Sequence, residues 1–188
     1  YRRILNEAVE ELKETEFKDL FETTETEQKV HPEERLFSPD CSIETDLELM
    51  IPETYISNIT ERLKIYRQIS ECDNAEKTDA LQKQLKDRFG KIPEQTLPLF
   101  DIGPLRQLAR QNGMERLLLK NGKMTATFIT DREHAFYQSS RFSRILNWIM
   151  VKKKGVNLKD TGGKLQMTID HIKTVNEATD LLLDMMVE

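Results

Sequence analysis

The chain has 188 residues, a formal net charge of −5, 38% hydrophobic residues and 32% charged residues. This length and composition predict one domain with a modest hydrophobic core, plus a short additional segment. Its apolar runs are far shorter than the roughly 20 residues that a membrane-spanning helix needs, which excludes that class of protein. The two cysteines, Cys41 and Cys72, lie in no disulfide-framework or metal-binding pattern. We therefore expect a cytoplasmic protein.

Charge is distributed unevenly along the chain. Residues 1–40 hold 6 Lys+Arg and 12 Asp+Glu, a net of −6, whereas residues 41–188 hold 22 and 21, a net of +1. The acidic part begins with an amphipathic helical pattern over 1–12 and continues as a Glu- and Thr-rich stretch typical of a linker. We expect an acidic linker helix and arm at 1–40, entering from an upstream part of a longer polypeptide. A compact domain at 41–188 follows.

A two-residue period begins at Ser42. Apolar side chains alternate with mostly acidic ones from Ile43 to Ile51, and Pro52 closes the run. This alternation predicts a half-buried strand that leads into the domain.

Two helices are predicted after this strand. Asn58 with Glu61, and Asp73 with Glu76, have the spacing of a helix N-cap and its reciprocal partner. Gly90 provides a left-handed terminator for the second helix. The apolar residues at helical spacing, which predict the buried faces, are Ile59, Leu63, Tyr66 and Ile69 in the first helix and Ala80, Leu81, Leu85 and Phe89 in the second.

A third helical region opens at Pro93 and ends near Asn112-Gly113. Pro98 and the pair Gly103-Pro104 should kink or divide it, because proline removes a backbone donor and clashes with the preceding turn. The sequence therefore predicts two helical pieces in this region.

The last third of the chain has two hairpin signals. Asn121-Gly122 is the strongest short signal of this kind, and Thr161-Gly162-Gly163 indicates a second, looser turn. Helical patterns follow each hairpin, over 142–149 and 172–186. The order β-β-α-β-β-α predicts a small antiparallel sheet covered by two helices, and the fold class is α+β.

Motifs for catalysis or metal binding are weak throughout. Gly162-Gly163-Lys164 imitates a phosphate loop but precedes no helix, so a turn is favoured. The three histidines are far apart, and Asp131 and Glu133 beside His134 cannot converge on one metal ion from adjacent positions. Ser139-Ser140 is typical of a helix cap. We expect no catalytic residue, metal site or cofactor site in this segment.

Two charged regions have alternative interpretations. The first two helices of the domain carry a dense mixture of acidic and basic residues, either a solvated face or a docking surface held by complementary charge. Lys152-Lys153-Lys154 either complements the end of a helix or, with Arg141 and Arg144, contacts nucleic-acid phosphates. A body with a net charge of +1 favours the first interpretation of the lysines.

A succession of motifs across the first half of the domain resembles the C-terminal domain of bacterial transcription-repair coupling factors, which are ATP-driven DNA translocases. The most specific part is a Asp-Arg-Phe-Gly-x-Ile-Pro run that follows an Arg-Leu-x-x-Tyr-Arg-x-Ile helix. The resemblance is specific over roughly 41–114 and continues beyond as a similar order of elements. The residues that carry it, and that we take as candidate interaction or family-motif positions, are Arg62, Tyr66, Arg67, Asp87, Arg88, Phe89, Gly90, Pro93, Leu105 and Arg106.

This resemblance implies a non-catalytic regulatory domain. In such proteins the domain is understood to pack against an N-terminal module of the same chain that is similar to the excision-repair protein UvrB. It thereby masks the surface that recruits UvrA until the motor engages a stalled RNA polymerase. ATP and Mg would serve the helicase-like motor upstream, which moves on double-stranded DNA.

Two other hypotheses remain open from the sequence. The domain could contact DNA directly through Lys152–Lys154 with Arg141 and Arg144, as an accessory module of the same motor. It could also be a small-molecule enzyme or ligand domain, which a deep pocket with converging titratable groups would support.

Overall fold

A computed structural model describes residues 36–152 and 154–187. These residues contain a five-stranded sheet and five α-helices, which confirms the α+β class. The predicted linker helix and most of the arm lie outside the described residues, and the division at residue 40 stays a prediction. None of the described helices is long and apolar enough to cross a membrane. The strands are β1 (Ser42–Thr45), β2 (Met114–Lys120), β3 (Lys123–Phe128), β4 (Val156–Thr161) and β5 (Lys164–Asp170), and the α-helices are α1 (Ile59–Ser70), α2 (Ala75–Phe89), α3 (Ile102–Gln111), α4 (Ser140–Lys152) and α5 (Val175–Val187).

The sheet has the strand order β1-β2-β3-β5-β4. Strands β2 to β5 are antiparallel to their neighbours, as the hairpin signals predict, but β1 adds to the edge in parallel with β2. The chain between β1 and β2 contains α1, α2 and α3, a connection long enough for a parallel pair. The expectation of a purely antiparallel sheet was therefore incomplete.

Strand β1 is also shorter than the alternation predicts. Its pairing with β2 ends at Thr45, whose hydroxyl accepts the N–H of Leu47 at 3.0 Å and turns the chain. Apolar and polar residues still alternate in burial up to Ile51. Further along, the backbone of Met50 bonds to Gln95 and Thr96 instead of to a strand. The alternation of buried and exposed residues therefore continues beyond the paired strand, because an extended segment can pack against the core without inter-strand hydrogen bonds.

Both hairpin turns are tight two-residue turns. Asn121 and Gly122 have φ values of +54° and +68°, and Gly162 and Gly163 have +60° and +80°. Two consecutive positive φ angles define the turn type that matches the twist of antiparallel strands. The second turn is therefore tighter than its sequence predicts.

Helices α3, α4 and α5 cover one face of the sheet and enclose the larger core. Fully buried residues of this core come from both hairpins and from the last helix. Phe136 lies between Phe128 and Phe142, with ring centroids 5.9 and 5.3 Å away. The sheet and the three helices that cover it therefore pack as one unit, which we call the sheet layer of the domain.

Helices α1 and α2 enclose a smaller, separate core. Ile65 and Ile69 of α1 pack with Leu81 and Leu85 of α2, and all four are buried. The side chain of Asn58 caps α1 by accepting the N–H of Glu61 at 3.0 Å, as the sequence predicts.

Two details of these helices were wrong in the sequence interpretation. Helix α2 is capped by Asn74, which accepts the N–H of Lys77 at 2.9 Å, while Asp73 forms an ion pair with Lys77. Ile59 and Leu63, assigned to the buried face of α1, are 64% and 61% exposed. Ile69, which the sequence also assigned to this face, is buried, and it packs with Ile65 against α2. The buried face of α1 is therefore rotated away from Ile59 and Leu63.

The third helical region is divided as its prolines predict. A 3₁₀ helix at Leu97–Asp101 precedes α3, which begins at Ile102, so the predicted start of the region at Pro93 was wrong. Pro104 lies in the first turn of α3, where its missing N–H removes no intrahelical bond. Phe100 packs in the smaller core and Leu105 in the larger one, so this region joins the two layers.

Candidate docking surface

Two of the motif residues, Arg62 and Tyr66, hold the segment of chain that precedes α1. The hydroxyl of Tyr66 accepts the backbone N–H of Ile51 at 2.7 Å. Arg62 donates to the carbonyl of Ile56 at 2.8 Å and lies 3.7 Å from the carboxylate of Glu53. Both side chains therefore anchor the segment that enters the helix, and neither is presented chiefly to solvent.

The Asp-Arg-Phe-Gly run forms a packed corner at the end of α2. The ring of Phe89 meets Tyr55 edge-on, with centroids 5.9 Å apart, and the Tyr55 hydroxyl donates to the carbonyl of Gly90 at 3.1 Å. Burial raises the pKa of the Tyr55 phenol, which keeps this donor protonated. Gly90 ends the helix with φ +83° and ψ −160°, a conformation open to glycine but different from the left-handed helical one that the sequence predicts. Pro93 is half-buried just beyond.

Arg88 joins the two helices of this corner. Its guanidinium lies 2.8 Å from the carboxylate of Glu61 on α1 and 4.7 Å from the ring centroid of Phe89. The pair is partly exposed, so it contributes orientation more than stability. It sets how α1 and α2 sit against each other.

The outward side of the same layer is charged and apolar. Arg67 and Asp87 are exposed, and Ile59 and Leu63 project from α1 beside Arg67. Arg67 and Asp87 are the two charged motif residues whose side chains are exposed and form no ion pair or side-chain hydrogen bond within the described residues. The corner thus offers a rigid platform with mixed charge and exposed aliphatic groups.

Leu105 and Arg106 lie away from this corner. Leu105 is fully buried in the larger core, and the Nε of Arg106 donates to the carbonyl of Cys41 at 3.2 Å. Both belong to α3 and fasten the start of β1. The structure therefore places the ten motif residues at two locations, and these two serve the body of the domain.

A cleft of about 460 Å³ lies between α4, β5 and α5. The Nε1 of Trp148 donates to Asp184 at 2.8 Å, and the Lys152 amine lies 3.1 Å from the same carboxylate. The hydrogen bond from Trp148, and then Lys152, lower the pKa of Asp184. A general acid would need the opposite shift, and Asp170 in the same cleft is paired with Lys123 at 3.1 Å. This arrangement does not assemble an acid–base pair.

The side chains considered for nucleic-acid contact do not form a grip. Arg141 is 5% exposed, and the Lys152 amine is engaged by Asp184. Arg144 is half-buried and lies 3.5 Å from the carbonyl of Met186. Lys153 lies outside the described residues. Lys154 is exposed, but among the described residues Arg141, Arg144 and Lys152 do not join it as a group of free exposed cations, which a phosphate contact needs.

The remaining candidates for chemistry have local roles. His134 accepts the N–H of Phe136 through Nδ1 at 3.1 Å, and the Ser139 hydroxyl accepts the N–H of Phe142 at 3.3 Å, which confirms that Ser139 caps α4. Burial raises the pKa of the Cys41 thiol to about 12. In residues 36–152 and 154–187, no group of three or more His, Cys, Asp or Glu side chains is placed to hold a metal ion.

Sequence reasoning missed three parts of this surface. It assigned no role to Tyr55, it did not pair Glu61 with Arg88, and it placed Ile59 and Leu63 in the core. The presence of Ile65 one residue before Tyr66 was the available signal for the last error, since it marks a second apolar stripe on α1. The Glu61–Arg88 pair spans 27 residues and carries no local signature.

The fold and this surface define a small α+β domain in which a two-helix layer, held by a packed corner, projects from a sheet layer. The sequence model of the TRCF domain family matches residues 45–139, about half of the chain, and this chain belongs to that family. The resemblance in the motifs is thereby confirmed.

Similar proteins point the same way. The chain is 30% identical over 123 residues to the transcription-repair-coupling factor of Bacillus subtilis (strain 168), covering 65% of this chain and 9% of that protein. It is 30% identical over 84 residues to that of Escherichia coli (strain K12), covering 45% and 7%. The crystal structure of a C-terminal domain of transcription-repair coupling factor superimposes with a TM-score of 0.61 at 21% identity, covering 78% of this chain and 93% of the other. The chain thus spans less than a tenth of these two relatives and corresponds in fold to the C-terminal domain of such a protein.

Proposed function

We propose that this domain is a regulatory clamp in a transcription-repair coupling factor. In the cytoplasm it packs against the UvrB-like N-terminal module of its own parent chain and masks the surface that recruits UvrA. ATP and Mg act in the motor of the parent, which translocates on double-stranded DNA and meets stalled RNA polymerase. The domain itself catalyses no reaction and holds no cofactor.

The observation that carries this proposal is that some motif residues of the α1–α2 layer face inward and others face solvent. Tyr66, Arg62 and Phe89 face inward and hold the corner, whereas Arg67 and Asp87 face solvent. A rigid platform with charges of both signs suits a partner that must be recognised specifically and released again. Interfaces between domains of one chain are typically moderate in area and polar enough to separate.

A clamp of this kind acts by shifting a population between closed and open states. Holding a chain 99% closed requires a free-energy difference of only about 2.7 kcal/mol, since each factor of ten corresponds to about 1.4 kcal/mol. A modest surface is sufficient for that difference. Contact of the motor with polymerase can then open the clamp without unfolding the domain.

The test compares the intact parent protein with a parent that lacks residues 41–188. We expect both the ATPase rate and the affinity for UvrA to rise when the domain is removed. The double variant Arg67→Glu, Asp87→Lys in the intact parent should reproduce part of this rise, and Lys159→Glu on exposed strand β4 serves as the charge control. Unchanged ATPase and UvrA binding after removal of the domain would reject autoinhibition.

A further inference from the structure

The cleft between α4, β5 and α5 has the size and the lining of a ligand site. Its volume of about 460 Å³ lies within the roughly 300–1,000 Å³ that such sites typically occupy. Its aliphatic lining residues are Val156, Ile169, Ile172 and Leu181. Ile169 is buried and the other three are half-buried, so part of their apolar surface remains open to solvent. The cleft therefore has an apolar floor that the core of the domain covers only in part.

A buried tryptophan is fixed in one wall of this cleft. Trp148 is 3% exposed, and its Nε1 donates to Oδ2 of Asp184 at 2.8 Å. The amine of Lys152 lies 3.1 Å from the same oxygen and 5.8 Å from the centroid of the indole ring. Since both contacts use Oδ2, the Oδ1 atom of Asp184 keeps its capacity to accept from a ligand. The wall is thus ordered by its own contacts before any ligand arrives.

Carboxylates adjoin the apolar floor on the side of α5. Asp180 and Asp184 lie one helical turn apart, and both line the cleft together with Leu181. Asp170 of β5 adds a third carboxylate, of which one oxygen lies 3.1 Å from the amine of Lys123. A group that enters beside α5 therefore meets aliphatic carbon and anionic oxygen together.

The two ammonium groups of the lining come from the end of α4. Lys152 is paired with Asp184, whereas Lys154 is exposed. Within the described residues, neither Lys154 nor Asp180 forms an ion pair. Carboxylates outnumber ammonium groups three to two in the lining, and the acidic wall faces a cation with an apolar neighbour more favourably than an anion.

We propose that this cleft binds a peptide segment in which a basic side chain, preferably arginine, adjoins an aliphatic one. The aliphatic side chain lies on the floor beside Leu181, and the guanidinium bonds to Asp180 and to Oδ1 of Asp184. Arginine suits this wall because its planar group can bond two carboxylate oxygens at once. Asp180 and Lys154 are exposed at the rim, so a peptide backbone can cross the opening while its two side chains enter. The inference is independent of the clamp, since no lining residue belongs to the α1–α2 layer.

The 188-residue chain contains one tryptophan, so its fluorescence reports on this cleft. Three peptides serve as probes: acetyl-Arg-Leu-amide, acetyl-Glu-Leu-amide with the charge reversed, and acetyl-Arg-Ser-amide without the aliphatic group. We expect the first to change the emission saturably with a Kd below about 1 mM. The other two should bind at least about fivefold more weakly, because each lacks one of the two complementary groups.

Three variants with exposed positions test the charges of the rim. Asp180→Asn should weaken binding of acetyl-Arg-Leu-amide about twofold to fivefold, and Lys154→Gln should strengthen it, because the lysine repels the same guanidinium. Asp79→Asn, which removes an exposed carboxylate of α2, is the matched control and should leave Kd unchanged. Circular dichroism and thermal unfolding establish that each variant is folded.

Several results would overturn the proposal. The absence of saturable binding up to about 5 mM peptide would show that the cleft is no site for this chemistry. Equal binding of the three peptides would show that neither group is recognised. A loss of affinity in Lys154→Gln, or an equal loss in Asp79→Asn and Asp180→Asn, would show that the acidic wall does not hold the cation. None of these results bears on the clamp, which is tested by removal of residues 41–188 from the parent.

Discussion

Replacement of Gly103 by alanine tests the joint between the two layers of the domain. Gly103 lies in the first turn of α3, and a Cβ atom added there would stand 1.8 Å from the carbonyl oxygen of Cys72. Its φ angle lies outside the left-handed region, so helix propensity alone favours alanine by up to about 1 kcal/mol. Propensity and packing therefore predict opposite signs for the same substitution.

The magnitude follows from the distance between the Gly103 Cβ position and the Cys72 carbonyl. Non-bonded heavy atoms pack at roughly 3.5 Å, so α3 and the chain after α1 must separate by roughly 1.7 Å. Overpacking a well-packed site destabilises by roughly 1–3 kcal/mol, and a clash between two backbone segments belongs at the upper end. We expect a loss of about 3 kcal/mol, which lowers Tm by about 6–12 °C for a chain of this size.

Thermal and urea unfolding, followed by far-ultraviolet circular dichroism, measure this effect of Gly103→Ala. The control is Gly90→Ala, because Gly90 has φ +83° but no atom within 4 Å of an added Cβ. With ψ −160° this backbone conformation is essentially restricted to glycine, so that substitution should cost about 1–3 kcal/mol from backbone strain, without a packing clash. A Gly103→Ala protein as stable as the original, or more stable, would show that the two layers do not meet as closely as described.

Three further predictions concern single side chains. Tyr66→Phe removes the acceptor of the Ile51 N–H and should reduce the free energy of unfolding by about 1–3 kcal/mol in urea titrations; a change below about 0.5 kcal/mol would contradict that role. With a pKa of about 12, Cys41 should resist alkylation by iodoacetamide at pH 8 in the native protein, as mapped by mass spectrometry, and labelling at the rate of a free thiol would disprove its burial. The lowered pKa of Asp184 stabilises the fold above the usual aspartate range near pH ~3.9, and the stabilisation is lost as the pH falls through the folded-state pKa. Asp184→Asn should therefore be less stable than the original at pH 7 and approach it in acid, unless Trp148 does not donate to this carboxylate.

Local signals in the sequence predicted most elements of the fold. The Asn121-Gly122 pair specified its turn because both residues tolerate positive φ, and Asn58 specified the start of α1 through its own side chain. The edge position of β1 was not predictable in this way. Its parallel partner lies some 70 residues along the chain, at Ser42 opposite Arg116, and no local pattern records such a pairing.

The candidate surface was predictable only in part, for a related reason. Motif residues marked the corner between α1 and α2, but the side of α1 that faces outward depends on which of two apolar stripes meets α2. Ile59 and Leu63 have the same four-residue spacing as Ile65 and Ile69, but only Ile65 and Ile69 have a packing partner in α2. Burial is decided by what packs against a helix, and one helix pattern alone does not contain that information.

The attachment of α1 and α2 to the rest of the domain affects how well the exposed surface of α1 can bind a partner. If α1 and α2 were loosely attached, docking through this surface would reorient them and the energy of binding would be spent on ordering the domain. The close approach of Gly103 to Cys72 opposes motion of this layer against α3, and the contact of Arg88 with Glu61 opposes motion of α1 against α2. A preorganised surface loses less on binding, so a small surface of mixed charge can hold a clamp closed. On this argument, Gly103→Ala should weaken the clamp as well as the fold, while leaving every residue of the exposed surface in place.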